Sequence, residues 1–216
     1  MTAIKICDIR TPEIAAYCAA LRVDMIGLHC IWDVPSPDRM VELRRVCEVA
    51  QPNCKCVLVT RQTEVSIVAA MAVDCAWDYL QLHANWNPDA VVQLGKKLRV
   101  RGRAPGLIGV VVAASASCAQ VEELAEVTDL VLLDSSIRGG SGKLAAAVDI
   151  QRAAAVLREK PFLIAGGLRQ GNVLSVIREH HPWGVDVQSG VEYPDGTRRK
   201  DPNRMRRFVD VVRSSS

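Results

Sequence analysis

The sequence predicts a single-domain α/β protein, a (β/α)8 barrel. Two observations carry this prediction. Short apolar runs alternate with amphipathic stretches from end to end, eight of each. Strict βα alternation gives a parallel sheet, and eight units close into a TIM barrel. The apolar mass is also aliphatic: 49% of the 216 residues are hydrophobic and only 4% aromatic, a composition that suits parallel strands packed under helices better than an aromatic-rich sandwich.

The first strand, Ile4–Cys7, alternates so that Lys5 and Cys7 share one face and the two isoleucines the other. Thr11 is a natural N-cap and Pro12 a natural first helical residue, which opens the first helix, Pro12–Leu21. Strand Met25–Ile31 precedes helix Asp38–Ala50, and Cys56–Thr60 precedes Glu64–Val73. Tyr79–His83 leads to Pro88–Val100, started by Asn87, and Leu107–Ala113 leads to Ala119–Val127. Leu130–Asp134 is followed by Val148–Arg158, and Phe162–Ala165 by Gly171–His180. Val185–Gln188 ends the series with Pro202–Val212, capped by Asp201. A doubly wound open sheet is the alternative, but it usually has a Gly-rich turn after its first strand. Here that turn is Cys7-Asp8-Ile9-Arg10. No shift of composition and no linker marks a boundary, so residues 1–216 read as one domain with a frayed Arg213–Ser216 end.

A net charge of +3 is too small to argue for nucleic acid or a membrane surface. The start MTAIKICDIRTPE has no secretory pattern, and no apolar run is long enough for a membrane helix. The eight cysteines, several inside helix or strand patterns, therefore read as reduced thiols of a cytoplasmic protein. The Cys54-x-Cys56 pair lacks the second ligand pair of a zinc site. The run Arg198-Arg199-Lys200 with Arg204-x-Arg206-Arg207 reads as a solvated last helix, not a nucleic-acid patch.

In such a barrel, chemistry collects at the C-terminal ends of the strands. Strand one ends on Cys7, strand four places Gln81 and His83 on one face, strand six ends on Asp134, and strand eight places Asp186 and Gln188 together. Glycine turns follow the last three strands: Gly139-Gly140-Ser141-Gly142-Lys143, Ala165-Gly166-Gly167 and Ser189-Gly190. Glycines let backbone N–H groups close on an anion, and the loops after strands seven and eight are the usual phosphate grip of barrels.

KIC at 5–7, QLH at 81–83, LLDS at 132–135, GGSGK at 139–143, AGGL at 165–168, VDVQSGVE at 185–192 and KDP at 200–202 stand in the order seen in phosphoribosylanthranilate isomerases. The chain resembles that family from first strand to last helix. The resemblance implies a phosphate-binding barrel of tryptophan biosynthesis, acting as monomer or homodimer on a small phosphorylated sugar-amine without metal or organic cofactor. The expected reaction is the Amadori rearrangement of N-(5'-phosphoribosyl)anthranilate to its ketose. It needs an acid to open the sugar ring and a base to take the proton from the adjacent carbon. By resemblance Cys7 is the base, Asp134 the acid and Asp186 a holder of sugar hydroxyls, with Gln81 and His83 beside them. Gly140, Ser141, Gly142, Gly166, Gly167, Ser189 and Gly190 are the expected phosphate ligands. Lys5 reads as half of an ion pair inside the barrel.

The sequence departs from the family beside the cysteine, where a glycine and a threonine become Asp8 and Arg10. A carboxylate there raises a thiol's pKa, and Arg10 offsets it. The arginine expected to bind the anthranilate carboxylate is represented only by Arg39, displaced by one residue from Ser36-Pro37, with Arg10 as its substitute. Ala84 and Gln188 replace a family glycine and serine, and Leu144–Ala147 replaces an aromatic-bearing stretch. Phosphate loops and the acid–base pair are kept while the loops toward the aromatic part differ. That leaves a relative acting on another N-phosphoribosyl amine as one alternative and a non-catalytic sugar-phosphate binder as another, which retention of Cys7 and Asp134 opposes. A phosphosugar epimerase would need metal ligands or a carboxylate pair.

Overall fold

The computed structural model describes residues 1–31, 36–73, 75–100, 104–136 and 144–214. Eight parallel strands close in sequence order into a barrel. They are β1 (Ala3–Ile6), β2 (Met25–His29), β3 (Lys55–Thr60), β4 (Tyr79–Leu82), β5 (Gly106–Val112), β6 (Leu130–Asp134), β7 (Phe162–Ile164) and β8 (Gly184–Val187). The helices between and after them are α1 (Pro12–Ala20), α2 (Pro37–Ala50), α3 (Val65–Met71), α4 (Pro88–Val100), α5 (Cys118–Val127), α6 (Ala147–Leu157), α7 (Val173–His180) and α8 (Pro202–Arg213). None of the described helices is long and apolar enough to cross a membrane.

Every expected strand and helix is present, with ends shifted by a residue or two. Several expected strands run past the observed ladders because their last residues keep a single bond to a neighbour. Cys7 N–H donates to the Val187 carbonyl at 2.9 Å and His83 N–H to the Thr60 carbonyl at 2.8 Å. The caps follow side-chain chemistry: Thr11, Ser36 and Asp201 each accept from a first-turn N–H ahead of a proline-started helix. A turn of 3-10 helix at Ser189–Val191, which the sequence reading lacked, follows β8.

Alternation along the strands separates two apolar layers. Ile4, Ile6, Ile26, Leu28, Leu58 and Leu80 face outward under the helices. Met25, Val57, Val59, Ile108, Leu130, Leu132 and Leu163 fill the barrel, and Cys7 stands at the top of this inner layer. At the opposite end, the aspartates that enter β2, β4 and β6 each stitch the preceding strand. Asp24 accepts from Ile4 N–H at 2.8 Å, Asp78 from Cys56 N–H at 2.8 Å and Asp129 from Leu107 N–H at 2.7 Å. Arg213 of α8 donates to the Thr2 and Arg22 carbonyls and pairs with Asp24 at 2.9 Å, tying the last helix to the first strand. The strands are thereby fixed from below, which holds the residues at their upper ends in place.

Candidate active site

The C-terminal mouth of the barrel holds a cavity of about 350 Å³, lined by Cys7, His29, Gln81, His83, Asp134 and Asp186 among others. These residues lie on or directly after β1, β2, β4, β6 and β8, so five strands bring side chains to one space. That is the size range of small-molecule sites.

On the β6 side, Asp134 Oδ1 accepts from Ser136 N–H at 3.1 Å and Ser135 Oγ at 3.3 Å. Its Oδ2 stands 4.0 Å from His83 Nε2. Burial outweighs the two hydrogen bonds, and the nearby Asp186 carboxylate adds to it, so the Asp134 pKa rises to about 6. A carboxyl of this kind is protonated in about a tenth of molecules at pH 7, far more than an ordinary aspartate, and can act as an acid. The Gln81 amide N–H meets His83 Nδ1 at 3.0 Å, and an amide N–H can only donate. With the amide in this orientation, a neutral His83 ring carries its proton on Nε2, facing Asp134.

On the β1 side, Cys7 is buried and its pKa is pushed up to about 11, chiefly by burial and partly by the Asp186 charge, against the pull of Lys5. Lys5, wholly buried, pairs with Asp186 Oδ2 at 2.9 Å. Burial lowers its pKa, but Asp186 above all, with Cys7, outweighs burial and holds it above the ordinary value. Asp186 Oδ1 has no hydrogen-bond partner among the described residues and belongs to a cavity wall, a ready acceptor for a ligand hydroxyl. The ion pair expected for Lys5 is thus formed within the barrel.

The turns after β7 and β8 meet at the rim. Gly166 and Gly167 have φ of 87° and 62°, a region that favours glycine. A Cβ on Gly166 would run into Ser135 Oγ, and one on Gly190 into the Leu168 carbonyl, so both loops approach too closely for a side chain. Gly166, Gly167 and Ser189 line the cavity. Gly140, Ser141 and Gly142 lie outside the described residues. Lys200 clips the segment after β8 through the Gln188 carbonyl at 3.1 Å and Glu192 at 2.9 Å.

The two arginines expected to hold a carboxylate each pair with an acid on their own segment. Arg39 is in the first turn of α2 with its guanidinium on Glu42 at 2.9 Å, and Arg10 grips both oxygens of Asp8 at 3.0 and 2.6 Å. Neither lines the cavity, whereas Arg61 and Arg198 do. His29, which lines the cavity, is not among the residues singled out from the sequence. Counting by twos from Met25 puts it on the inward face of β2, which would have found it. No cluster of His, Cys, Asp or Glu among the described residues could hold a metal ion.

Fold and cavity together define a (β/α)8 barrel with a polar cavity at the C-terminal mouth of its strands. The chain belongs to the N-(5'-phosphoribosyl)anthranilate isomerase family, a family of isomerases, whose profile matches residues 4–211. A relative from Haloferax volcanii, named N-(5'-phosphoribosyl)anthranilate isomerase, is 30% identical over 100% of this chain and 95% of its own. The crystal structure of TrpF from Jonesia denitrificans is 27% identical with a TM-score of 0.72, covering 100% of this chain and 98% of that one. Phosphoribosyl anthranilate isomerase from Thermus thermophilus has the same fold, with a TM-score of 0.80 at 23% identity and full coverage of both chains.

Proposed function

We propose that this protein catalyses the Amadori rearrangement of N-(5'-phosphoribosyl)anthranilate to the 1-deoxyribulose 5-phosphate ketose, a step of tryptophan biosynthesis. The observation that carries the reading is a single cavity with a thiol on its β1 wall and a proton-retaining carboxyl on its β6 wall. A sugar held between them meets base and acid from different sides.

In this reading Asp134 gives its proton to the ring oxygen as the C1–O bond breaks, opening the sugar to an imine protonated on nitrogen. Cys7, as thiolate, takes the C2 proton, and the C2–H electrons pass into the C1–C2 bond to give an enol-amine. Loss of the C2 hydroxyl proton and protonation at C1 complete the ketose. Asp186, Gln81 and His83 hold the sugar hydroxyls. Gly166, Gly167, Ser189 and Gly190, with the Gly140-Ser141-Gly142 turn, hold the phosphate. Arg61 or Arg198 meets the anthranilate carboxylate, with a bidentate match between guanidinium and carboxylate.

The engagement of Arg39 with Glu42 and of Arg10 with Asp8 supports a second reading, the same rearrangement on a different N-phosphoribosyl amine. Purified protein mixed with N-(5'-phosphoribosyl)anthranilate, with product followed by chromatography, tests the first reading. Rescue of a tryptophan auxotroph is its cellular counterpart. Absence of product and of rescue overturns it.

A further inference from the structure

Cys7 presents a difficulty for its proposed role. A base must give up its own proton first, and burial pushes this thiol up to about 11. Its surroundings contain an answer. Cys7 Sγ lies 3.2 Å from His29 Nε2. The other ring nitrogen, Nδ1, is 3.6 Å from Asp8 Oδ1. Asp8 is gripped by Arg10 through Nε at 3.0 Å and Nη2 at 2.6 Å. The result is one chain of contacts, thiol to imidazole to carboxylate to guanidinium.

The backbone is shaped to make this chain. Asp8 has φ 61°, a left-handed conformation that, glycine aside, Asp and Asn enter most readily. Ile9 N–H donates to the Gly27 carbonyl at 2.9 Å, which pins the turn after β1 onto β2. Asp8 is thereby held beside the imidazole that β2 presents. A left-handed residue other than glycine is kept where the surroundings fix it, and such residues cluster at functional sites. The two residues that set this turn apart from the family pattern, Asp8 and Arg10, act on the same ring.

We propose that His29 is the proton acceptor of Cys7. The thiol proton passes to Nε2, leaving a thiolate beside an imidazolium, with the Asp8 carboxylate 3.6 Å from Nδ1 to balance its charge and Arg10 holding Asp8 in place. No atom is lost or gained: the S–H bond breaks, the N–H bond forms, and the pair keeps its net charge. His29 acts through Cys7 and is a positioning residue for it. The inference rests on the reading of Cys7 as the base.

The charges around the ring leave it neutral at rest and make it a weak base on its own, so the transfer relies on the negative sulfur at 3.2 Å to raise its proton affinity. Burial and the cations Lys5 of β1, Arg10 of the first turn and Lys200 after β8 hold the His29 pKa down to about 4, against Asp8. A neutral imidazole beside a protonated thiol is therefore the resting state, with Nε2 free to accept. Once sulfur is negative, it stands 3.2 Å from the ring and favours the imidazolium. Lys5 serves the thiolate from below: a Cβ on Gly27 would lie 2.7 Å from Cys7 Sγ and 3.1 Å from Lys5 Nζ, so only glycine leaves room for both.

The test is alkylation of Cys7 by iodoacetamide between pH 6 and 11, read on the Cys7 peptide by mass spectrometry to separate it from the other cysteines. In His29→Gln the rate at pH 7 should fall at least tenfold and rejoin the wild type near pH 11, where either thiol ionises alone. Asp8→Asn should fall in the same direction by less, which keeps the test valid if His29→Gln does not fold. Profiles unchanged in both variants, or rates lowered equally at every pH, overturn the dyad. Isomerisation of N-(5'-phosphoribosyl)anthranilate is measured on the same samples. A His29-dependent profile without wild-type turnover removes the proposed function and leaves the dyad. Turnover with a His29-independent profile removes the dyad alone.

Discussion

Replacing Asp134 with Asn should make the protein more stable at neutral pH, by an amount that depends on pH. The carboxyl has a pKa of about 6 in the fold against 3.8 in the unfolded chain. The folded state thus binds more protons than the unfolded one between those values, and wild-type stability falls as pH rises through the folded pKa. A gap of that size corresponds to about 3 kcal/mol above pH 7 and nothing well below pH 4, at ~1.4 kcal/mol per pKa unit. Asparagine is close to the neutral acid in shape and carries no charge. Its Oδ1 can still accept from Ser136 N–H and Ser135 Oγ, the bonds Asp134 makes at 3.1 and 3.3 Å. The variant's advantage should therefore grow by about 1.4 kcal/mol from pH 5 to pH 8, where both titration curves are sampled. Urea unfolding followed by circular dichroism at pH 5, 6, 7 and 8 measures it. A difference that is flat across this range, or that shrinks with rising pH, would show that Asp134 is not held protonated by burial.

Lys5→Met leaves Asp186 charged and unpaired inside the barrel and should cost about 3–5 kcal/mol, while Lys5→Met with Asp186→Leu should recover most of it; equal losses by urea unfolding would refute the pair's role. Gly27→Ala pushes a methyl to 2.7 Å from Cys7 Sγ, so about 1–3 kcal/mol of stability should be lost, a loss that wild-type unfolding would contradict. Asp78→Ala removes the acceptor of Cys56 N–H and Gln51 Nε2 at the far end of the barrel. It should cost about 1–3 kcal/mol with no change in KM, and a raised KM would mean that the lower face reaches the site.

The barrel was legible because each strand is a period-two run with one face under helices. Ile4 and Ile6 against Lys5 and Cys7 give the inward face of β1 directly, and the same count gives Gln81 with His83 and Asp186 with Gln188. The strand-to-strand meeting of Lys5 with Asp186 follows from closure of β1 on β8, which the count of eight units implies. What the sequence did not carry was local turn geometry. The left-handed Asp8 turns its carboxylate to His29 and Arg10, a result of backbone conformation that residue types do not announce. The sequence could not show which way Arg39 faces, because proximity to Ser36-Pro37 does not fix the direction of a first-turn helical residue; its guanidinium pairs with Glu42. Arg61 follows β3 outside any motif, and the run Arg198-Arg199-Lys200, read as part of a solvated last helix, in fact precedes α8, with Lys200 buried and Arg198 on the cavity wall.

The central claim is the division of labour between Cys7 and Asp134. Its most direct test is kcat for N-(5'-phosphoribosyl)anthranilate in the wild type, Cys7→Ser and Asp134→Asn, beside the dissociation constant of the ketose product for each. The account predicts that each variant loses on the order of 10²-fold or more in kcat, the scale of general acid–base catalysis, while the product still binds. Wild-type kcat in either variant would contradict it.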